Sequence, residues 1–116
     1  MIKIGKGTYD ISTGVIAASG SYTTEAISAR GLAGYFSLQW LTTGDGTMKA
    51  EVLVSNDGVT FFDLDDDICS AQTKTSGTSG ASMAKFELTI CDQFKIKFTE
   101  TGASNSVTIV AKLKAS

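Results

Sequence analysis

The sequence has no proline and no histidine, and only two cysteines and one tryptophan among its 116 residues. Without proline there is no cis-proline turn, so chain reversals fall to its 12 glycines together with Ser, Thr, Asn and Asp. Without histidine the commonest general base and metal ligand is missing, and a cysteine nucleophile has no imidazole partner. No serine stands in Gly-x-Ser-x-Gly. Paired carboxylates are the catalytic device the composition leaves open, but a domain of this size has little room for the cleft they need. No enzyme, catalytic residue, cofactor site or metal site is therefore expected.

Charge of one sign is also scarce. A net charge of −2 and a pI near 4.9 exclude the concentrated basic surface on which nucleic-acid binding rests. There is no apolar run of the roughly 18 residues that mark a transmembrane helix, so no membrane contact is expected. Met1-Ile2-Lys3-Ile4-Gly5 lacks the apolar core of a secretory signal, and Met1 to Ser116 is expected to be a complete gene product. Cys69 and Cys91 fit no metal-ligand spacing. Reduced thiols are the expectation in a chain without an export signal, while a disulfide between them stays open.

What is present is alternation with a period of two. Phe36, Leu38 and Trp40 fall on one face of a strand, with Ser37 and Gln39 on the other. A glycine-containing loop, Thr42 to Thr47, leads into Met48, Ala50, Val52 and Val54, and Asn56-Asp57-Gly58 turns the chain into Val59-Thr60-Phe61-Phe62. Tyr35 to Phe62 thus reads as an antiparallel meander. Phe86, Leu88 and Ile90 alternate next, then Phe94, Ile96 and Phe98, the two runs meeting at a hairpin or at a corner between sheets. Val107, Ile109, Ala111 and Leu113 close the chain. No segment has helical periodicity. The pattern predicts a single antiparallel β-sandwich, jelly-roll or immunoglobulin-like, of about seven to eight strands. Its expected core is Phe36, Leu38, Trp40, Met48, Ala50, Val52, Val54, Phe86, Leu88, Phe94, Ile96, Phe98, Val107, Ile109 and Ala111.

Residues 1–24 carry weak strand signals broken by glycine, and read either as an arm ordered against a neighbour or as edge strands. Residues 25–116 are expected to be the sandwich proper. A short strand over Glu25 to Ala29 places either Ala26 and Ser28, or Ile27 and Ala29, inward. Asp63-Leu64-Asp65-Asp66-Asp67 lacks the spacing of an EF-hand calcium loop and is expected to be a solvated loop. Trp40 and its aromatic neighbours are the residue types of a sugar platform, but Trp40 shares a face with Phe36 and Leu38, which points to the core. Adjacent Phe61 and Phe62 point to opposite faces of a strand, so one of them lies outside the core, under a loop or in an interface, and the pair hints at a subunit contact.

Ser55-Asn56-Asp57-Gly58-Val59-Thr60-Phe61, then Phe94-Lys95-Ile96-Lys97-Phe98-Thr99-Glu100-Thr101-Gly102 and Asn105-Ser106-Val107-Thr108-Ile109, resemble small β-sandwich virion proteins of tailed bacteriophages and prophages. Such proteins carry a Ser-x-Asp-Gly-x-Thr-Trp hairpin and a strand ending in Thr-Glu-Thr-Gly; here Phe61 stands at the tryptophan. The hairpin also looks like the Asp-box of sialidase-type propellers, but it is one residue short and occurs once. The virion resemblance covers roughly residues 35–113 and implies a non-enzymatic structural protein, a capsid decoration or tail component. It implies partners among copies of itself or the major capsid or tail protein, a homo-oligomeric or lattice-bound state, and a virion location after synthesis in the host cytoplasm. The rival expectation is a carbohydrate-binding or adhesion module.

Overall fold

The alternating runs become strands at the places where each buries one face. In a computed structural model that describes residues 1–5 and 7–116, with the backbone alone of Asp65 and Asp66, Phe36, Leu38 and Trp40 line the inner face of β5 (Tyr35–Thr43). Met48, Ala50, Val52 and Val54 line β6 (Met48–Ser55), Phe94, Ile96 and Phe98 line β9 (Gln93–Glu100), and Val107, Ile109, Ala111, Leu113 and Ala115 line β10 (Val107–Ala115). The remaining strands are β1 (Thr8–Asp10), β2 (Val15–Ile16), β3 (Ser21–Thr23), β4 (Ile27–Ser28), β7 (Phe62–Gln72) and β8 (Ala81–Glu87).

Two antiparallel sheets face each other. One has the order β1-β10-β5-β8, with β2 also along β10; the other has the order β3-β9-β6-β7, with β4 also along β9. Counting β1 with β2, and β3 with β4, as one interrupted strand each leaves eight positions, in which the first pairs with the eighth, second with seventh, third with sixth and fourth with fifth. This is the jelly-roll connectivity, a long hairpin rolled up on itself. It corrects the meander expected over Tyr35 to Phe62. β5 and β6 lie in different sheets, and only β6 and β7 form a hairpin. The β5–β6 connection passes the β9–β10 loop so closely that a Cβ at Gly46 would lie 2.7 Å from the Ser106 carbonyl oxygen. The chain likewise changes sheets between β8 and β9.

The two interruptions are filled by hydroxyl groups. Ile11 and Thr13 donate their backbone N–H groups to the carbonyls of Ala111 and Ile109. The return bonds run from the Ala111 N–H to Ser12 Oγ (3.0 Å) and from the Ile109 N–H to Thr13 Oγ1 (3.2 Å). Thr24 repeats the device between β3 and β4, its Oγ1 accepting the Ile96 N–H at 3.1 Å. A side-chain oxygen one or two bonds off the backbone shifts the chain and breaks alternation without leaving a buried donor unpaired. β1 and β2 are thereby built into one sheet and β3 and β4 into the other, and Ile11, Ile16 and Ile27 join the core.

The expected core residues are buried except Phe86 and Leu88, which are half-buried; Leu113 and Ala115 join the interior as well. Phe36 ties the sheets together, stacking on Phe86 with ring centroids 5.2 Å apart and meeting Phe94 of the opposite sheet edge-on at 5.0 Å.

Candidate interaction site

The sandwich has two unlike ends. At one, the carboxylate of Glu100 is buried and accepts four backbone N–H groups: Thr47 (2.8 Å) and Gly102 (2.7 Å) on Oε2, Ser19 (3.0 Å) and Ala103 (2.8 Å) on Oε1. These donors, Thr47 foremost, hold its pKa down at about 2. Thr-Glu-Thr-Gly is therefore a structural knot that joins the β2–β3, β5–β6 and β9–β10 loops. At the other end, Ser55-Asn56-Asp57-Gly58 builds the β6–β7 turn. Ser55 Oγ donates to Asp57 Oδ1 (2.9 Å) and accepts the Gly58 N–H (2.9 Å), while Asp57 Oδ1 accepts the N–H groups of Val59 and Thr60. The Thr60 and Val59 amides hold the Asp57 carboxyl below its usual range. Gly58 takes a φ of 74°, where a side chain would be strained.

Beyond that turn the two sheets part. β7 and β8 are outer strands of different sheets, and between them lies a cleft of about 500 Å³ lined by Val52, Asp67, Ile68, Phe86, Glu87 and Leu88. A second cleft of about 420 Å³ adjoins it at Thr89 and carries Phe62, Leu64 and Ile90. Ile90 is 97% exposed, Phe62 58% and Leu64 48%. Burying side chains of this kind is worth about 1.5–3 kcal/mol each, which this chain leaves unrealised by itself. Leu41 and Val110, opposite each other on the outer face of β5 and β10, are a second exposed apolar pair, flanked along their strands by Gln39, Thr43, Thr108 and Lys112.

The acidic run is a strand, not the expected loop. Phe62 and Asp63 pair with Val54 and Leu53, and Asp67 pairs with Glu51, so Val52 alone faces the three residues 64–66 in a bulge. The outer face of an edge strand supplies the water that carboxylates need, so the charges do not force a loop; the solvation of the Asp65 and Asp66 side chains lies outside the described residues. Lys49 Nζ stands 3.6 Å from Asp67 and 3.7 Å from Glu51. A hydrogen bond with Asp63, and then burial, push the Glu51 carboxyl above the ordinary range. Among the described residues no group of acids and thiols is arranged to hold a metal ion.

The aromatic candidates separate. Trp40 is buried in the core, and its indole Nε1 has no hydrogen-bond partner there; it is no sugar platform. Phe61 and Phe62 were expected to divide between core and surface, yet both lie outside the core. Phe61 sits under Lys95, whose Nζ is 4.2 Å from the ring centroid, and Phe62 faces the open margin. Cys69 and Cys91 are free thiols. Burial pushes the Cys69 thiol up to about 11, which leaves it unreactive. The contribution of Leu64 and Ile90 to the margin escaped the sequence reading, because the one lies within the acidic run and the other continues an alternation whose strand stops at Glu87.

No family model matches the sequence, and no curated protein is similar to it. Solved structures share its fold. The PBSX exported protein XepA aligns with a TM-score of 0.66 and 9% identity over 93% of this chain and 36% of that one. The VP2 subviral particle of infectious bursal disease virus aligns at 0.51 and 13%, over 93% and 32%. The CBM22-1 xylan-binding domain of Paenibacillus barcinonensis Xyn10C aligns at 0.53 and 10%, over 97% and 88%. The chain thus spans about a third of XepA and of VP2. At these identities the likeness establishes a β-sandwich shared with viral and carbohydrate-binding proteins, and nothing finer.

Proposed function

We propose that the chain is a non-enzymatic structural protein of a phage particle, a capsid-decorating or tail-associated subunit that acts by protein–protein contacts with copies of itself or with the major capsid or tail protein. The observation that carries this reading is the open margin, where Phe62, Leu64 and Ile90 are exposed around clefts that a monomer leaves unfilled. The virion-protein motifs agree with it, since both prove to be devices that fix turns and loops rather than chemistry. The fold it shares with a viral particle protein is compatible with the same role. Quantitative mass spectrometry of gradient-purified particles made from the genome that encodes the chain tests the proposal. A fixed, stoichiometric amount per particle is expected, and its absence from particles overturns the reading.

A carbohydrate-binding role is the second reading, favoured by one observation: Phe62 shares its cleft with Asn56, Asp57 and Thr60, an aromatic ring beside polar groups. Calorimetric titration with xylo-oligosaccharides separates the two, a specific heat of binding lost in Phe62→Ala supporting the sugar reading.

A further inference from the structure

Among the described residues, the outer edge of β8 holds a row of backbone groups that no other strand pairs. Leu88 N–H donates to the Gly34 carbonyl and Thr42 N–H to the Gly80 carbonyl, both at 2.9 Å. In an antiparallel ladder the residues that exchange such bonds recur at every second position. Residues 82, 84, 86 and 88 therefore aim their amides and carbonyls at β5, while Met83, Lys85 and Glu87 aim theirs the other way. β8 has no second neighbour in its sheet.

We propose that this edge, with the cleft beneath it, receives an extended segment of another virion protein in which apolar residues alternate with lysine or arginine. The inference deepens the proposed structural role and rests on it only for the source of the segment. A strand added to β8 extends the sheet by main-chain bonds to Met83, Lys85 and Glu87. Its inward side chains, every second residue, enter the 500 Å³ cleft between Val52, Ile68, Phe86 and Leu88. Charge sets what lies between them. Asp67 and Glu87 line the same cleft, Asp67 already near Lys49 and Glu87 without an ion pair among the described residues. Lys85 shares the outer face of β8 with Glu87 and is the one cation on that strand. The sequence also sets four aspartates in the five residues 63–67 of the facing edge. Joining two copies margin to margin would bring two such edges together, so a second copy is the disfavoured occupant and a basic segment the favoured one.

The test uses the full chain and two capped nonapeptides of alternating valine with lysine or with glutamate. The lysine peptide is expected to bind at least about tenfold more tightly than the glutamate peptide, and to slow amide exchange at Met83, Lys85 and Glu87. Lys85→Pro removes an N–H that faces the free side, a position where an edge strand tolerates proline, and should abolish binding. Should that variant fail to fold, the double reversal Asp67→Lys with Glu87→Lys must invert the preference between the peptides. Equal affinity for both peptides, no protection at those three amides, or self-association without peptide that Lys85→Pro abolishes would each overturn the proposal. A chain that binds the lysine peptide but is absent from particles retains the edge site and loses the virion role; a chain present in particles that ignores the peptide loses only the edge site.

Discussion

The two margins of the sandwich are both irregular, yet they differ in what fills the irregularity. Along β1 to β4, the hydroxyls of Ser12, Thr13 and Thr24 take the place of strand carbonyls, and Ile11, Ile16 and Ile27 are buried behind them. Along β7 and β8, three residues stand opposite Val52 in a bulge, Phe86 and Leu88 are half-buried, and Ile90 stands in solvent. A broken strand pattern is thus no measure of looseness. The margin whose interruptions are filled by hydroxyls buries Ile11, Ile16 and Ile27, and the margin that leaves Phe62, Leu64 and Ile90 exposed is the one we propose as the contact surface.

Substitutions should separate the margins by size of effect. The largest loss belongs to the shared core: Phe98→Ala, at a fully buried site, should cost about 3–5 kcal/mol in urea unfolding, and a loss below about 0.5 kcal/mol would place β9 in the wrong register. Thr24→Val comes next, since it keeps the shape but strands the buried Ile96 N–H, a loss of about 1–3 kcal/mol. An unchanged midpoint for this variant would show that the hydroxyl does not complete the ladder.

Glu100→Gln acts chiefly through pH. The folded pKa of about 2 lies below the ordinary 4.5, so the stabilising contribution of Glu100 is complete above pH 4.5 and disappears as pH falls toward 2. Glu51, whose pKa is raised, runs the opposite way, which makes the difference between variant and parent the quantity to follow. Unfolding midpoints from pH 7 to pH 2 should fall less steeply in Glu100→Gln than in the parent. Parallel curves would contradict the four-donor account. The smallest effect is expected at the open margin, where Ile90→Ser should change stability by no more than about 0.5 kcal/mol.

The legible part of the molecule is the part whose side chains alternate without interruption: β5, β6, β9 and β10, with their inward Phe, Leu, Ile and Val residues. Alternation does not say which sheet a strand joins, so the change of sheet between β5 and β6 was invisible although both strands were plain. It also fails wherever a hydroxyl replaces a carbonyl, which hid the burial of Ile11 and Ile16 and left the register of Ile27 open. Of the site, Phe62 and the acidic run were conspicuous in the sequence. Their union with Leu64, Phe86, Leu88 and Ile90 into one margin depends on the pairing of the fourth and fifth strand positions on one side and the third and sixth on the other, a long-range matter that local pattern does not encode.

One comparison tests most directly whether the open margin is the contact surface. Val15, 75% exposed on β2, and Ile90 are both bare apolar side chains, one at the hydroxyl-filled margin and one at the open margin. Val15→Asp and Ile90→Asp should both fold with unchanged unfolding midpoints. In co-sedimentation with particles that lack the chain, Val15→Asp should bind as the parent does, and Ile90→Asp should bind at least about tenfold more weakly, a carboxylate being costly to bury in an apolar contact. Equal binding by the two variants, or a loss confined to Val15→Asp, would contradict the account.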